Sequence, residues 1–104
     1  MDHKLSQEEI EKIKSGRAVL LDVRSDREVA QQSCSYANHW DVEQMTQGRF
    51  PKFDKSMPVF IFCRIINRAT VAQMLMSAEG YTDTHVLGGF EQLPKELFDK
   101  NTTI

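Results

Sequence analysis

The 104-residue sequence contains no apolar run approaching the length of a membrane span, and Met1 to Glu9 lacks the apolar centre of a secretory leader. Taken as a whole chain, it is expected to be cytoplasmic and to stay out of membranes. Surplus positive charge is also missing. With 13 Lys and Arg against 15 Asp and Glu, the formal net charge is -2, which gives no basic field for nucleic acid or acidic lipid. Cysteine is scarce. Cys34 and Cys63 alone make no disulfide framework, and no Cys/His spacing resembles a zinc site, so no metal is expected. Repeats, linkers and low-complexity segments are absent. The chain is too short to join a cofactor-binding domain to a substrate domain, so residues 1–104 read as a single domain with no cofactor. Hydrophobic content of 40% and charged content of 27% are ordinary for a folded globular chain.

What is present centres on Val59 to Gln73, Val-Phe-Ile-Phe-Cys-Arg-Ile-Ile-Asn-Arg-Ala-Thr-Val-Ala-Gln. A strand-like apolar run stops at Cys63, a turn carrying Arg64 and Arg68 follows, and a helical segment is expected from near Ala69. Backbone N–H groups at a helix start are unsatisfied and the macrodipole is positive there, so this loop can hold an anion. The same field favours a thiolate, the nucleophilic form of cysteine. A cysteine closing an apolar strand also serves simply as a small buried hydrophobe, and arginines near a helix start are commonly solvated. The catalytic reading therefore requires an open α/β sheet, whose ligands gather at the carboxyl ends of the strands.

The remaining sequence supplies the elements of such a sheet. Ser6-Gln7-Glu8-Glu9 is a capping box opening a short helix with Ile10 and Ile13 inward and Gly16 as its stop. Ala18 to Val23 reads as a strand buried on both faces, with Asp22 needing a loop N–H or an arginine as partner. Ser25 or Asp26 caps a helix running to Gln31 or Gln32. Tyr36 to Trp40 offers a brief strand, with His39 structural, and Val42 to Gln47 a short helix. Phe50 and Phe53 anchor the following loop to the core. After Val59 to Phe62, the next helix carries a stripe of Val71, Leu75 and Ala78, widened by Ala72, Met74 and Met76 as core filler, and ends at Gly80. Thr84 to Leu87 forms a further strand containing a half-buried His85. Pro94 opens a last helix, Lys95 to Asp99, and Asn101 to Ile104 is expected to fray. This order implies an α/β fold, a mainly parallel sheet with helices on both faces.

Three blocks, Leu21-Asp22-Val23-Arg24-Ser25, Cys63-Arg64-Ile65-Ile66-Asn67-Arg68 and Val86-Leu87-Gly88-Gly89-Phe90, resemble the signatures of single-domain rhodanese-like proteins in order and spacing. That resemblance implies a five-stranded, mainly parallel sheet with the active-site loop after the fourth strand. It further implies that Cys63 is a sulfur carrier, taking a sulfane sulfur from a small anionic donor and passing it to a thiol or cyanide. The substrate-binding residues would be Arg64, Ile65, Ile66, Asn67 and Arg68: their backbone N–H groups cradle the persulfide, and the Arg64 guanidinium attracts a donor such as thiosulfate. Tyrosine phosphatases place one more residue between cysteine and arginine, a wider ring suited to phosphate, so the shorter interval here disfavours that chemistry.

Two departures from the family pattern stand out. Ile66 occupies a loop position usually held by glycine, where a positive φ would strain a β-branched residue by roughly 1–3 kcal/mol. Ser33-Cys34-Ser35-Tyr36-Ala37 replaces the usual His-Ile-Pro-Gly-Ala, altering the turn before the short strand. The second reading is thus a weak or inactive rhodanese-like module whose Ile65 and Ile66 dock a protein partner. A third, a redox pair of Cys34 with Cys63, requires the two thiols to approach closely.

Overall fold

A computed structural model describes residues 3–98. In chain order it comprises α1 (Gln7–Lys14), β1 (Val19–Asp22), α2 (Asp26–Gln31), β2 (Ala37–His39), α3 (Val42–Thr46), β3 (Val59–Cys63), α4 (Asn67–Glu79) and β4 (Thr84–Gly89). Two single-turn 3₁₀ segments follow, Phe90–Gln92 and Lys95–Leu97. The expected last helix is therefore only a short 3₁₀ turn; its Asp99 and the Asn101–Ile104 tail lie outside the described residues.

The sheet has four strands in the order β2-β1-β3-β4, all parallel. The family resemblance implied five. Beyond β4 the described N-terminal segment contributes a single backbone bond, His3 N–H to Val86 O at 2.6 Å, and no ladder. The cysteine loop accordingly follows the third strand of the described sheet.

Alternation along the strands sorts the core into two layers. Val19 and Leu21 of β1 and Val59, Ile61 and Cys63 of β3 face α3 and α4, packing on Val42, Met45, Ala69, Ala72 and Met76. Leu20, Phe60 and Phe62 point the other way, onto Ile10 and Ile13 of α1 and onto Phe90, Leu93 and Leu97. Leu20, Leu21, Ile61 and Phe62 are fully buried, each contributing about 1.5–3 kcal/mol by removal from water. Helix α4 lies on the sheet through Ala69, Ala72 and Met76. Val71 and Met74, expected within its apolar stripe, are instead 44% and 68% exposed. The small side chains of Ala69 and Ala72 let the helix approach closely, and that rotates Val71 and Met74 outward. Gly80, at φ 111°, ends α4 in the left-handed conformation that glycine adopts without strain.

Phe50 and Phe53 pack against the α3–α4 side of the core as expected. Among the described residues no helix is long and apolar enough to cross a membrane.

Candidate active site

Parallel pairing brings the carboxyl ends of β1, β2 and β3 to one edge, and Cys63 is the last residue of β3. A register irregularity between Ile61 and Cys63 sets Cys63 opposite Gly89. The chain turns through Arg64, Ile65 and Ile66 and enters α4 at Asn67, two residues before the expected start.

Ile66 occupies the cap position of α4 at φ -167°, extended backbone open to any residue, and no described non-glycine residue has a positive φ. The strain anticipated at Ile66 does not arise. Its side chain, unable to cap the helix, packs on the cluster that contains Cys63. By contrast α1 and α2 carry capping boxes, Ser6 with Glu9 and Ser25 with Glu28, and Asp41 caps α3. Among the described residues, the N–H groups of Arg64 to Arg68 donate to no backbone carbonyl. The Arg64 and Ile65 carbonyls point the other way, toward Gly89. A Cβ added there would lie 2.3 Å from Arg64 O and 3.0 Å from Ile65 O, and Phe90 N–H donates to Arg64 O at 3.3 Å.

Cys63 itself is 1% exposed. The thiol is therefore buried, within the cluster on which Ile66 packs. Arg64 and Asn67 are exposed, and Ile65 is 69% exposed. Two surface hollows, one lined by residues including His3, Leu87 and Pro94 and the other by Trp40, Phe50 and Tyr81, contain none of the residues from Cys63 to Arg68.

The two arginines of the loop differ sharply. Arg64 has no ion-pair partner among the described residues. Arg68 makes a two-point bridge to Glu28 of α2, Nη1 to Oε1 at 2.6 Å and Nη2 to Oε2 at 2.9 Å. Glu28 also accepts from the Ser25 N–H and hydroxyl at 3.0 and 2.9 Å. The Arg68 guanidinium holds the Glu28 carboxyl down to about 2, and Glu28 in turn raises Arg68. Glu28 was not singled out in the sequence; Ser25-x-x-Glu28 signals a capping box, and nothing local marks a second partner forty residues on.

Beneath this lies a buried charge pair. Asp22, at the tip of β1, accepts from Arg24 Nε at 2.9 Å, Arg24 Nη2 at 2.7 Å and the Arg24 N–H at 3.0 Å. Arg24 Nη2 also donates to Gln32 O at 2.7 Å, and its guanidinium lies 4.2 Å from the centre of the Phe90 ring. Both partners expected for Asp22, a loop N–H and an arginine, come from Arg24. His39 bonds the Arg24 carbonyl at 2.7 Å, a structural role.

Cys34 is buried with Leu20, Phe60 and Phe62, the side of the sheet away from Cys63. Its Sγ donates to Leu97 O at 2.7 Å, and burial pushes its pKa up. Cys34 and Cys63 therefore do not meet, which removes the redox pairing.

These features meet on the pattern read from the three sequence blocks, and a family model settles it: the rhodanese-like domain matches residues 6–96. The chain belongs to the rhodanese-like family. Solved structures agree on the fold. A human single-domain sulfurtransferase is similar at a TM-score of 0.69 and 23% identity, over 88% of this chain and 97% of that one. A single-domain sulfurtransferase from Saccharomyces cerevisiae is similar at 0.65 and 21%, over 73% and 72%. A rhodanese-like domain protein from Staphylococcus aureus is similar at 0.65 and 22%, over 79% of each chain. No match was found among curated protein sequences. In this rhodanese-like chain, all six residues of the cysteine block lie on one strand–loop–helix corner, although only the backbone of Arg68, not its side chain, is free to face a ligand.

Proposed function

We propose that this rhodanese-like chain is a sulfurtransferase that carries a sulfane sulfur on Cys63. The observation that supports it is the strand–loop–helix corner: a thiol ending β3, followed by N–H groups from Arg64 to Arg68 without backbone acceptors, at the start of an α4 with no side-chain cap. The sulfurtransferases of similar fold support the same reading.

In the first half-reaction, Cys63 thiolate attacks the outer sulfur of thiosulfate or of a persulfide. The donor S–S bond breaks as the Cys63 Sγ–S bond forms. Its electron pair leaves on sulfite or on the donor thiolate, so no external oxidant or reductant enters. In the second, a thiol or cyanide attacks the outer sulfur and Cys63 departs as thiolate. Splitting the transfer through a covalent intermediate replaces one hard step by two easier ones. Fixed amide dipoles favour the anionic sulfur in each. Arg64 draws the donor, and Ile65 and Ile66 form an apolar rim. Two reduced thiols suit a cytoplasmic setting.

Intact mass measurement after incubation with thiosulfate, or with a small persulfide, tests this. The expected result is one added sulfur atom in the native protein and none in Cys63→Ala; no adduct from any donor overturns the assignment.

A second reading has its own support. Cys63 is 1% exposed while Ile65 is 69% exposed, the pattern of a module that keeps the fold and offers the loop to a protein partner. It predicts no adduct, together with a partner interaction lost in Ile65→Ser.

A further inference from the structure

The hollow that includes Trp40, Phe50 and Tyr81 lies apart from the cysteine loop and from the sulfur chemistry proposed for it. Its volume is about 490 Å³, within the roughly 300–1,000 Å³ of small-molecule sites. Four rings build it. Phe50 and Phe53 flank Tyr81 with ring centres 6.5 and 5.6 Å away, and Trp40 completes the lining. The polar tips of two of these rings are already satisfied by the wall: Trp40 Nε1–H donates to Arg49 O at 3.0 Å, and the Tyr81 hydroxyl donates to Pro51 O. Those bonds pin residues 49–51, so the hollow is preformed and its rings offer apolar surface.

Three cations line the same hollow, and none is paired with a carboxylate. Arg49 donates to the side-chain carbonyls of Gln44 and Gln47. Lys55 Nζ donates to the main-chain carbonyl of Glu79 at 2.8 Å and stands 5.7 Å from the centre of the Tyr81 ring. Lys52 is exposed and makes no hydrogen bond or ion pair among the described residues. Against these three charges the lining holds one carboxylate, Glu79. The surplus is positive, in a chain whose net charge is -2.

We propose that this hollow binds a mononucleotide, the base stacking among the rings and the phosphate held by Arg49, Lys52 and Lys55. Aromatic side chains accept any base on its π-face, and a phosphate of nearly two negative charges offsets the local positive surplus. An uncharged ring compound would leave the cations unneutralised. A phosphate on a single phenyl ring would leave most of a hollow this size unfilled. An extended nucleic acid is not favoured, because a chain of net charge -2 has no track of cations for successive phosphates.

Trp40 is the single tryptophan of the chain, so its fluorescence reads this site directly. The experiment titrates the full chain with adenosine monophosphate, and separately with adenosine and with phenyl phosphate, exciting at the red edge of the indole band where adenine absorbs little. Adenosine monophosphate is expected to quench Trp40 saturably. Adenosine lacks the charge and phenyl phosphate lacks the base, and each is expected to require a concentration higher on the order of tenfold. Lys52→Glu breaks no contact, and Arg49→Gln keeps the main-chain carbonyl that holds Trp40. Each is expected to fold with a native-like urea midpoint and to raise the half-saturating concentration of adenosine monophosphate on the order of fivefold. Added salt shifts it in the same direction. The proposal is overturned by quenching that does not saturate, by adenosine or phenyl phosphate binding as tightly as adenosine monophosphate, or by half-saturation unchanged in both folded variants. Sulfur loading of Cys63 is a separate measurement, so the sulfurtransferase reading stands or falls independently of these outcomes.

Discussion

The carbonyl oxygen of Arg64 fills the space a side chain on Gly89 would need: a Cβ there would stand 2.3 Å from it. The glycine is required by close approach and not by its backbone angle, since its φ is -71°. It sets how far the cysteine loop settles onto β4, with the Arg64 and Ile65 carbonyls against that strand.

Gly89→Ala must push the Arg64 peptide outward, because the obstructing atom is backbone and has no rotamer to change. The expected cost is about 1–3 kcal/mol of stability, with sulfur loading of Cys63 slowed at least on the order of tenfold by the displaced amides. Urea unfolding and time-resolved intact mass check the two effects. Native-like loading in Gly89→Ala would show that this contact does not shape the site.

Asp22→Ala strands the Arg24 guanidinium in the interior between β1 and Phe90, where both members of the pair are now buried. Removing one partner of such a pair costs about 3–5 kcal/mol, a large share of a small domain's total of about 5–15 kcal/mol. The urea midpoint should fall steeply. A substitution of both residues by apolar ones of similar size is expected to cost much less.

Stability should also depend on pH through Glu28. Its folded-state value, about 2, lies below the ordinary 4.5 because Arg68 and then Ser25 favour the charged carboxylate. A lowered folded value stabilises the native state above the unfolded one and loses that contribution as pH falls through the window from 4.5 toward 2. The pair is partly exposed, so solvent screening leaves about 1 kcal/mol. The stability difference between native protein and Glu28→Gln should be constant from neutral pH upward and shrink on acidification below the upper limit. A difference that grows with acid contradicts the assignment.

Cys34 is expected to stay unlabelled by thiol reagents in the folded protein and to react on unfolding, since burial and its bond to Leu97 O both protect it. Cys34→Ala should retain sulfur loading at Cys63. Mild peroxide should yield no internal disulfide, which non-reducing peptide mapping would reveal.

The buried strands were legible because continuous apolar runs such as Val59 to Phe62 have one use in a chain of this size. Helix starts were legible where a side chain marked them, at Ser6 and Ser25. They were misplaced at α4, where Ile66 marks nothing and the helix begins at Asn67. The inward face of α4 was misjudged because size, not hydrophobicity, chose it: Ala69 and Ala72 permit contact with the sheet, and Met74 is left outside. Cys63 was singled out from its expected place at the end of a strand, and β3 does end there. Glu28 was not, since its bridge to Arg68 depends on how two helices sit across the sheet, a relation no local pattern encodes. The fifth strand was a family expectation, and the described N-terminal segment supplies only the single bond from His3.

Placing Cys34 and Cys63 in opposite layers has a kinetic consequence. If Cys63 carries sulfur as proposed, a sulfur atom loaded onto it would find no second thiol inside the molecule to expel it. Its residence time would then be governed by encounters with molecules arriving from outside, and a loaded protein would act as a reservoir that empties only on demand.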